Sequence, residues 1–353
     1  MGKRSVLGLV ALGAMVLLIV DSQLMIQSAT EGIRICLTTV IPSLFPLFVL
    51  SLFATSNLLG RRLRMLRPIM RLCNIPEGGE HILLLGLIGG YPVGAMTVSE
   101  AYERKMIVKS TAQRLLGFCN NAGPAFIFGI VGPLFSNVST GWILWGIHIL
   151  SAVITGILLP GRTDNREVKY TLKPSGIGSA LERSIRNTAV VCGWVVMFRI
   201  IIQMFHDKIG WRLTELLNTV IAGILELSNG CIALKTEPNE ALVFILASGM
   251  LALGGICVFL QTVSVVNGLG TGLYIPGKIV QTSFSVMVAC LISPLLFSDC
   301  LGPNLLFVIL LCCFFVFITT LILLNREKEV AFLRKIMYSN VNYKNKETDH
   351  VVS

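Results

Sequence analysis

Long apolar segments recur along the whole chain and are separated by short polar stretches. Most of them hold about 20 mainly hydrophobic residues, the length that an α-helix needs to cross the hydrocarbon core of a bilayer. This pattern predicts an all-α integral membrane protein. The apolar segments lie at 6–26, 35–58, 81–98, 115–135, 141–160, 188–205, 213–234, 241–266, 279–297 and 303–324.

Two of these segments contain features that an ordinary transmembrane helix lacks. Segment 81–98 has four glycines and a proline between Gly86 and Gly94, and segment 213–234 carries Glu226 near its middle. Broken backbone and polar groups are tolerated at membrane depth only where protein or a water-filled cavity covers them. We therefore expect both segments to form re-entrant hairpins, which leaves about eight transmembrane helices.

Composition and charge agree with a membrane protein and exclude a single soluble core. The chain is 54% hydrophobic and 14% charged, with a mean hydropathy of +0.77, whereas a soluble domain has about 25% charged residues. With the N-terminus in the cytoplasm, the predicted cytoplasmic segments hold most of the 29 Lys and Arg residues, Lys278 among them. The exceptions are Arg34, Arg199, Lys208, Arg212 and Lys235. This bias follows the positive-inside rule. It places both termini in the cytoplasm and explains the net charge of +10 without a nucleic-acid partner.

The unusual features also repeat along the chain. At an offset of about 136 residues, Gly90 aligns with Glu226 and Gly94 with Gly230, and a polar break at 118–121 aligns with the glycines at 254–255. Each half then contains a helix, a hairpin, a broken helix and a helix, and its three crossings would invert the second half. Such inverted repeats are typical of transporters. The predicted organisation is an N-terminal peripheral transmembrane helix at 1–30, a first repeat at 31–160, a cytoplasmic linker at 161–186, an inverted second repeat at 187–298, a C-terminal transmembrane helix at 299–325 and a cytoplasmic tail at 326–353.

The adjacent amides of Asn120 and Asn121 are the first candidate site. They precede Gly123 and Pro124, and a proline removes a backbone hydrogen bond from a helix. Exposed helix ends favour an anionic group of a substrate. The alternative is that the two amides only hydrogen-bond neighbouring helices together. The residues expected to break helices are Gly90, Pro92, Gly94, Gly123, Pro124, Gly230, Gly254 and Gly255.

Glu226 is the second candidate, since carboxylates inside a membrane are costly and usually functional. It could bind a coupling proton or a cation such as sodium, accept a hydrogen bond from a substrate hydroxyl, or only hold the hairpin tip together. Ser228 and Asn229 would complete a polar cluster there. Gln261 follows the break at 254–255 and could face the same cavity or pair with another helix, while Tyr91 at the other hairpin tip could stack on an aromatic substrate or only pack.

The sequence offers little support for catalysis or for a cofactor. No nucleophile motif or metal-ligand spacing occurs, and the ten cysteines include no C-x-x-C pair. The run from Gly272 to Lys278 resembles a phosphate-binding loop but has Ile279 where such a loop needs Ser or Thr. We therefore expect neither an enzyme nor a bound cofactor or metal. A scaffold that acts through its soluble loops, without transport, is the alternative to a carrier.

Several of these motifs together resemble those of the sporulation integral membrane protein YlbJ (SpoVV) family. They are the run Ile41-Pro42-Ser43-Leu44-Phe45-Pro46, the run Gly90-Tyr91-Pro92-Val93-Gly94, the run Asn120-Asn121-Ala122-Gly123-Pro124, and Gly254-Gly255 with Gln261. The resemblance covers about residues 5–325. That family belongs to the gate-domain proteins, which are similar to concentrative nucleoside transporters.

The resemblance implies passage of a small solute, dipicolinic acid, from the mother cell across the outer forespore membrane. The alternatives are a carrier of nucleosides or other small solutes and a non-transporting scaffold for spore assembly. By resemblance to nucleoside carriers, Glu226, Asn120 and Asn121 are the residues that would bind substrate. The expected partners are the solute, the lipid bilayer and a coupling proton or sodium ion, and a homo-oligomer is compatible with the sequence.

Overall fold

A computed structural model describes residues 3–58, 63–161, 176–266, 268–298 and 301–324. All regular structure in these ranges is helical, which confirms the predicted all-α fold. The α-helices are α1 (Lys3–Val20), α2 (Ser22–Ile35), α3 (Ile41–Leu58), α4 (Arg67–Leu72), α5 (Glu80–Ile88), α6 (Val93–Glu103), α7 (Lys109–Leu116), α8 (Pro124–Phe126), α9 (Val138–Leu158), α10 (Ile177–Lys208), α11 (Glu215–Leu225), α12 (Leu227–Ala233), α13 (Glu240–Leu253), α14 (Gly255–Val265), α15 (Tyr274–Leu296) and α16 (Pro303–Leu324).

Shorter helical pieces connect or extend these helices. A π-helical segment, Cys36–Val40, joins α2 to α3, and the π-helical segment Ile127–Val131 continues α8 into a 3₁₀ turn. The 3₁₀ turns are Arg64–Leu66, Gly132–Leu134, Gly210–Arg212 and Leu234–Thr236. Most of the predicted linker 161–186 and the whole predicted tail 326–353 lie outside the described residues.

Six helical stretches in the described part of the chain are long and apolar enough to cross a bilayer. Their outer faces carry large apolar side chains that are open to the surroundings, such as Leu295 at 83% and Phe315 at 68% exposure. Such faces are matched by lipid rather than by water, so the chain is an integral membrane protein. The six stretches are Ser22–Leu50, Val138–Leu158, Ile177–Lys208, Glu240–Val265, Tyr274–Leu296 and Pro303–Leu324.

The N-terminal boundaries differ from the predicted segments 6–26 and 35–58. The first helix is interrupted at Asp21, and the next helix runs from Ser22 through the polar stretch between the two predicted segments. That stretch stays helical because its polar groups are satisfied along the helix. Arg34 pairs with Glu31 at 2.6 Å on an exposed face, and the Ser28 hydroxyl donates to the Leu24 carbonyl at 2.7 Å.

The predicted segment 115–135 is divided, as its Gly-Pro pair indicates. α7 ends at Leu116, residues 117–123 are irregular, and only the short apolar stretch Pro124–Leu134 follows. The predicted segment 241–266 is likewise divided, into α13 and α14. The chain turns there at Gly254 and Gly255, whose φ angles of +74° and +80° lie in the left-handed region that favours glycine.

Each of the two segments predicted to form a hairpin contains a pair of short helices, and these pairs are called the first and the second hairpin. α5 and α6 meet at residues 89–92. Both pack directly against the first break, since a Cβ atom added at Gly86 or Gly94 would collide with Cys119. α11 and α12 meet at Glu226, and Gly223 and Gly230 lie backbone against backbone across that hairpin. Glycine at these positions lets main chains approach where any side chain would collide.

The remaining helices form the frame around these breaks. α13 packs along α15, α9 lies against both, and α10 runs beside α2 and α3. One hydrophobic cluster centres on α3, α9, α13 and α15, and a second one on α4 to α7.

A buried arginine fixes the helix that precedes the first break. The Arg114 guanidinium, 2% exposed, donates to the carbonyl oxygens of Cys73 at 2.6 Å and Leu159 at 3.1 Å, and also to that of Gly156. These carbonyls lie at the C-terminal ends of α4 and α9. One side chain therefore ties α7 to the ends of two other helices.

Candidate functional site

A cavity lies where the two hairpin tips, the first helix break and α14 meet, with about 440 Å³ of empty space that includes its opening to solvent. Its wall is mostly apolar. The lining residues are Leu44, Phe48, Gly90, Tyr91, Ala122, Gly123, Ala125, Phe126, Val191, Glu226, Leu227, Ser228, Val258 and Gln261.

Four of the seven predicted site residues line this cavity. They are Tyr91, Glu226, Ser228 and Gln261, and the predicted helix-breaking residues Gly90 and Gly123 also line it. The other three, Asn120, Asn121 and Asn229, are buried nearby but are not among the lining residues.

The amides of Asn120 and Asn121 hold the first break together. Asn120 accepts from the Ala95 backbone N–H at 3.2 Å and donates to the Thr262 hydroxyl at 2.9 Å. Asn121 donates to the Gly86 carbonyl at 2.8 Å. Both side chains are fully buried, so in this conformation they join helices, which is the second of the two roles that the sequence allowed.

Lys278 is a polar residue of this region that the sequence did not indicate. The predicted topology counts it among the cytoplasmic residues, but it lies in α15 at 2% exposure. Its ammonium group donates to the Asn120 carbonyl at 2.6 Å and to the Gln281 side chain at 2.9 Å. Gln281 in turn donates to Asn121 Oδ1 at 2.8 Å. The sequence feature that could have indicated this residue is a pair of polar side chains, Lys278 and Gln281, one turn apart on an apolar helix.

Proline explains why the Asn120 carbonyl is free to accept from Lys278. In a continuous helix that oxygen would accept from the backbone N–H of residue 124. Pro124 has no N–H. The ammonium group supplies the missing donor, and the Ala122 N–H on the other side of the break donates to His148 Nε2 at 3.2 Å. The break is therefore buried, and the Asn120 carbonyl and the Ala122 N–H both have protein partners.

Glu226 forms the N-cap of α12 at the second hairpin tip. Its extended backbone ends α11, and its carboxylate oxygens accept from the backbone N–H groups of Ser228 at 2.9 Å and Asn229 at 2.7 Å. The Asn229 amide donates to the same carboxylate at 2.8 Å, while Asn229 Oδ1 is buried and has no hydrogen-bond partner among the described residues. The carboxylate thus both structures the tip and borders the cavity.

Tyr91 connects the first hairpin with the second half of the chain. Its hydroxyl donates to the Leu251 carbonyl at 3.2 Å and accepts from Lys278 at 3.2 Å. Gly254 lies against its ring, close enough that an added Cβ would sit 3.1 Å from the hydroxyl oxygen. Gln261, 3% exposed, lines the cavity and donates to Cys257 Sγ at 3.2 Å.

The site contains one buried lysine, one buried glutamate and several neutral amides and hydroxyls. Within the described ranges, His, Cys, Asp and Glu side chains form no group of three that could hold a metal ion. The arrangement suits recognition of a small polar solute by hydrogen bonds and an aromatic face.

Comparison with known proteins supplies one relative. The chain is 27% identical over 233 residues to the sporulation integral membrane protein YlbJ of Bacillus subtilis (strain 168), and the match covers 57% of this chain. It covers 56% of the relative, so the chain spans just over half the length of the curated protein that it matches. No family model and no solved structure matches the chain. The chain is therefore an integral membrane protein similar to a membrane protein of sporulation.

Proposed function

We propose that the chain carries a small solute across a membrane and binds it in the cavity between the hairpin tips. The observation that supports this most is the convergence of both hairpin tips, the first helix break and α14 on one cavity. Interrupted helices that meet around a solute site are the usual construction of secondary transporters.

The proposed architecture is the inverted repeat of 31–160 and 187–298, with eight crossings and two re-entrant hairpins. Each hairpin packs on the broken helix of its own half through glycines. Gly90 lies against Gly123 in the first half, and Gly255 lies against the Gly223 carbonyl in the second. This matched contact supports alternating access by movement of one half against the other.

The proposed substrate is dipicolinate, and the proposed location is the outer forespore membrane, both on the resemblance to the YlbJ family. Dipicolinate is a small aromatic dianion. The Tyr91 ring offers a face for stacking, and the buried Lys278 ammonium lies 5.1 Å from the centre of that ring. A nucleoside is the second candidate, because Glu226, Ser228 and Gln261 could bind its hydroxyl groups.

Uptake into proteoliposomes tests this function. We expect the reconstituted chain to accumulate labelled dipicolinate and not uridine. Gln261→Ala should weaken apparent solute affinity about tenfold, the effect of losing one buried hydrogen bond of about 1.4 kcal/mol.

Gln113→Ala is the matched control. Gln113 is a half-buried glutamine that donates to the Leu269 carbonyl and does not line the cavity, so its variant should transport as the parent does. Accumulation of uridine without dipicolinate would reject dipicolinate and identify a nucleoside as the substrate. Absence of uptake and of binding for both solutes, in protein that remains folded, would contradict the function.

A further inference from the structure

Lys278 is a buried lysine that lacks a carboxylate partner within 4 Å in the part of the chain that the structure describes. A charge inside a membrane protein is costly unless the surroundings replace its hydration. At Lys278 the replacement comes from neutral oxygens and aromatic faces.

Four oxygen atoms surround the ammonium group. They are the Asn120 carbonyl at 2.6 Å, Gln281 Oε1 at 2.9 Å, the Tyr91 hydroxyl at 3.2 Å and Asn121 Oδ1 at 3.5 Å. The Tyr91 and Tyr274 rings lie 5.1 and 5.9 Å from the nitrogen, which places both within the range of cation–π attraction.

This set of ligands is the kind that holds a hard monovalent cation. Main-chain carbonyls released by a helix break, together with side-chain oxygens, form the coupling-ion sites of transporters with discontinuous helices. Here Pro124 releases the Asn120 carbonyl, and the amide oxygens come from the break and from α15. The oxygens therefore bridge both halves of the chain, as an ion that couples them would.

We propose that the Lys278 ammonium is a built-in cation, which occupies an oxygen-lined site between the first helix break and α15 and replaces a free sodium ion there. The carrier then needs no sodium, and shortening Lys278 exposes a site that sodium fills. The proposal rests on the proposed function only for its transport readout, since ion binding can be measured on protein that transports nothing.

Thermal unfolding of the purified full-length chain in detergent, in sodium chloride against N-methylglucamine chloride at equal ionic strength, tests the proposal. The parent chain should show no sodium-specific change in melting temperature. Lys278→Ala, purified in sodium throughout, should melt lower in N-methylglucamine. Its melting temperature should rise saturably by about 2 °C when sodium exceeds its dissociation constant about tenfold.

Two variants serve as controls. Lys278→Met fills the space with an apolar chain and should gain no response to sodium. Lys235→Ala removes an exposed lysine and should behave as the parent does.

Three results would overturn the proposal. The first is a saturable sodium response of the parent, and the second is a Lys278→Ala variant without one. The third is a Lys278→Ala variant that yields no folded protein even in sodium, since the vacated site would then not accept the ion.

Transport supplies a separate measurement. Parent uptake of the solute should be the same in sodium and in N-methylglucamine, and uptake that requires sodium would also reject the built-in cation. Complete lack of uptake would reject the proposed function and leave the melting result to decide on the ion.

Discussion

The first helix break and the second hairpin tip both leave backbone groups without helical hydrogen-bond partners. Side chains of opposite charge supply the partners in the two regions. At the first break, Pro124 leaves the Asn120 carbonyl without its helical donor, and the Lys278 ammonium binds it at 2.6 Å. At the second tip, the first N–H groups of α12 have no helical acceptor, and the Glu226 carboxylate binds two of them. A fixed cation thus stabilises free carbonyls, a fixed anion stabilises free N–H groups, and the cavity lies beside both.

Both regions depend on close backbone contact at glycines, and substitution of these glycines should lower the unfolding free energy most. An added methyl at Gly94 would overlap the Cys119 carbonyl, and one at Gly230 would overlap Gly223. We expect Gly94→Ala and Gly230→Ala each to cost about 3 kcal/mol or more of unfolding free energy, because backbone cannot move aside as a side chain can. Denaturant unfolding in detergent measures this.

Gly193→Ala is the control for those two variants. It lies on α10, where an added methyl meets nothing within 4 Å, and it should stay within about 1 kcal/mol of the parent. Equal tolerance of all three substitutions would show that the hairpins are not closely packed.

Neutralising the two charges should have the next largest effect. Lys278→Met removes the donor of a buried carbonyl and should cost about 1–3 kcal/mol, whereas Glu226→Gln keeps one acceptor oxygen and should cost about 1 kcal/mol. A double-mutant cycle on unfolding free energies sharpens the comparison. Additivity to within about 0.5 kcal/mol indicates two independent regions, and a larger coupling would mean that the two charges act as one pair.

The Tyr91 hydroxyl is the contact that joins the first hairpin to Lys278. Tyr91→Phe keeps the ring against Gly254 and removes the bonds to Leu251 and Lys278. We expect a loss of about 1 kcal/mol in unfolding free energy. Tyr274→Phe, whose hydroxyl lies a longer 3.5 Å from Asn120 Nδ2, should cost less. A larger loss of unfolding free energy for Tyr274→Phe than for Tyr91→Phe would show that the Tyr274 hydroxyl stabilises the cluster more.

A polar pair between α13 and α15 gives the smallest expected effect. Ser248 and Ser285 share a hydrogen bond at 2.8 Å between buried hydroxyls, and Ser285 also reaches the Ser248 carbonyl at 3.2 Å. Ser248→Ala therefore leaves no unpaired partner, and we expect a change of at most about 0.5 kcal/mol with unaltered uptake. A larger loss of uptake would extend the functional region beyond the cavity.

The positions of the breaks could be predicted from the sequence, because glycine and proline act locally. Pro124 removes a donor wherever it stands, and Gly254 accepts a left-handed φ without help from distant residues. The carboxylate of Glu226 was likewise recognisable, since an acidic residue within an apolar segment is rare.

The partners of the breaks could not be predicted in the same way. Lys278 lies 158 positions after Asn120, and no local pattern shows that α15 passes beside the first break. The orientation of the Asn120 amide, toward Ala95 and Thr262 and not into the cavity, also depends on helix packing. The helix boundaries predicted near Asp21 were wrong for a related reason. The polar side chains after Asp21 find their partners within their own helix.

The guanidinium of Arg114 limits where the first half can bend. Its hydrogen bonds to the carbonyl ends of α4 and α9 hold these two helix ends against α7. A change of shape that displaces α7 must therefore carry the ends of α4 and α9 with it or break these bonds.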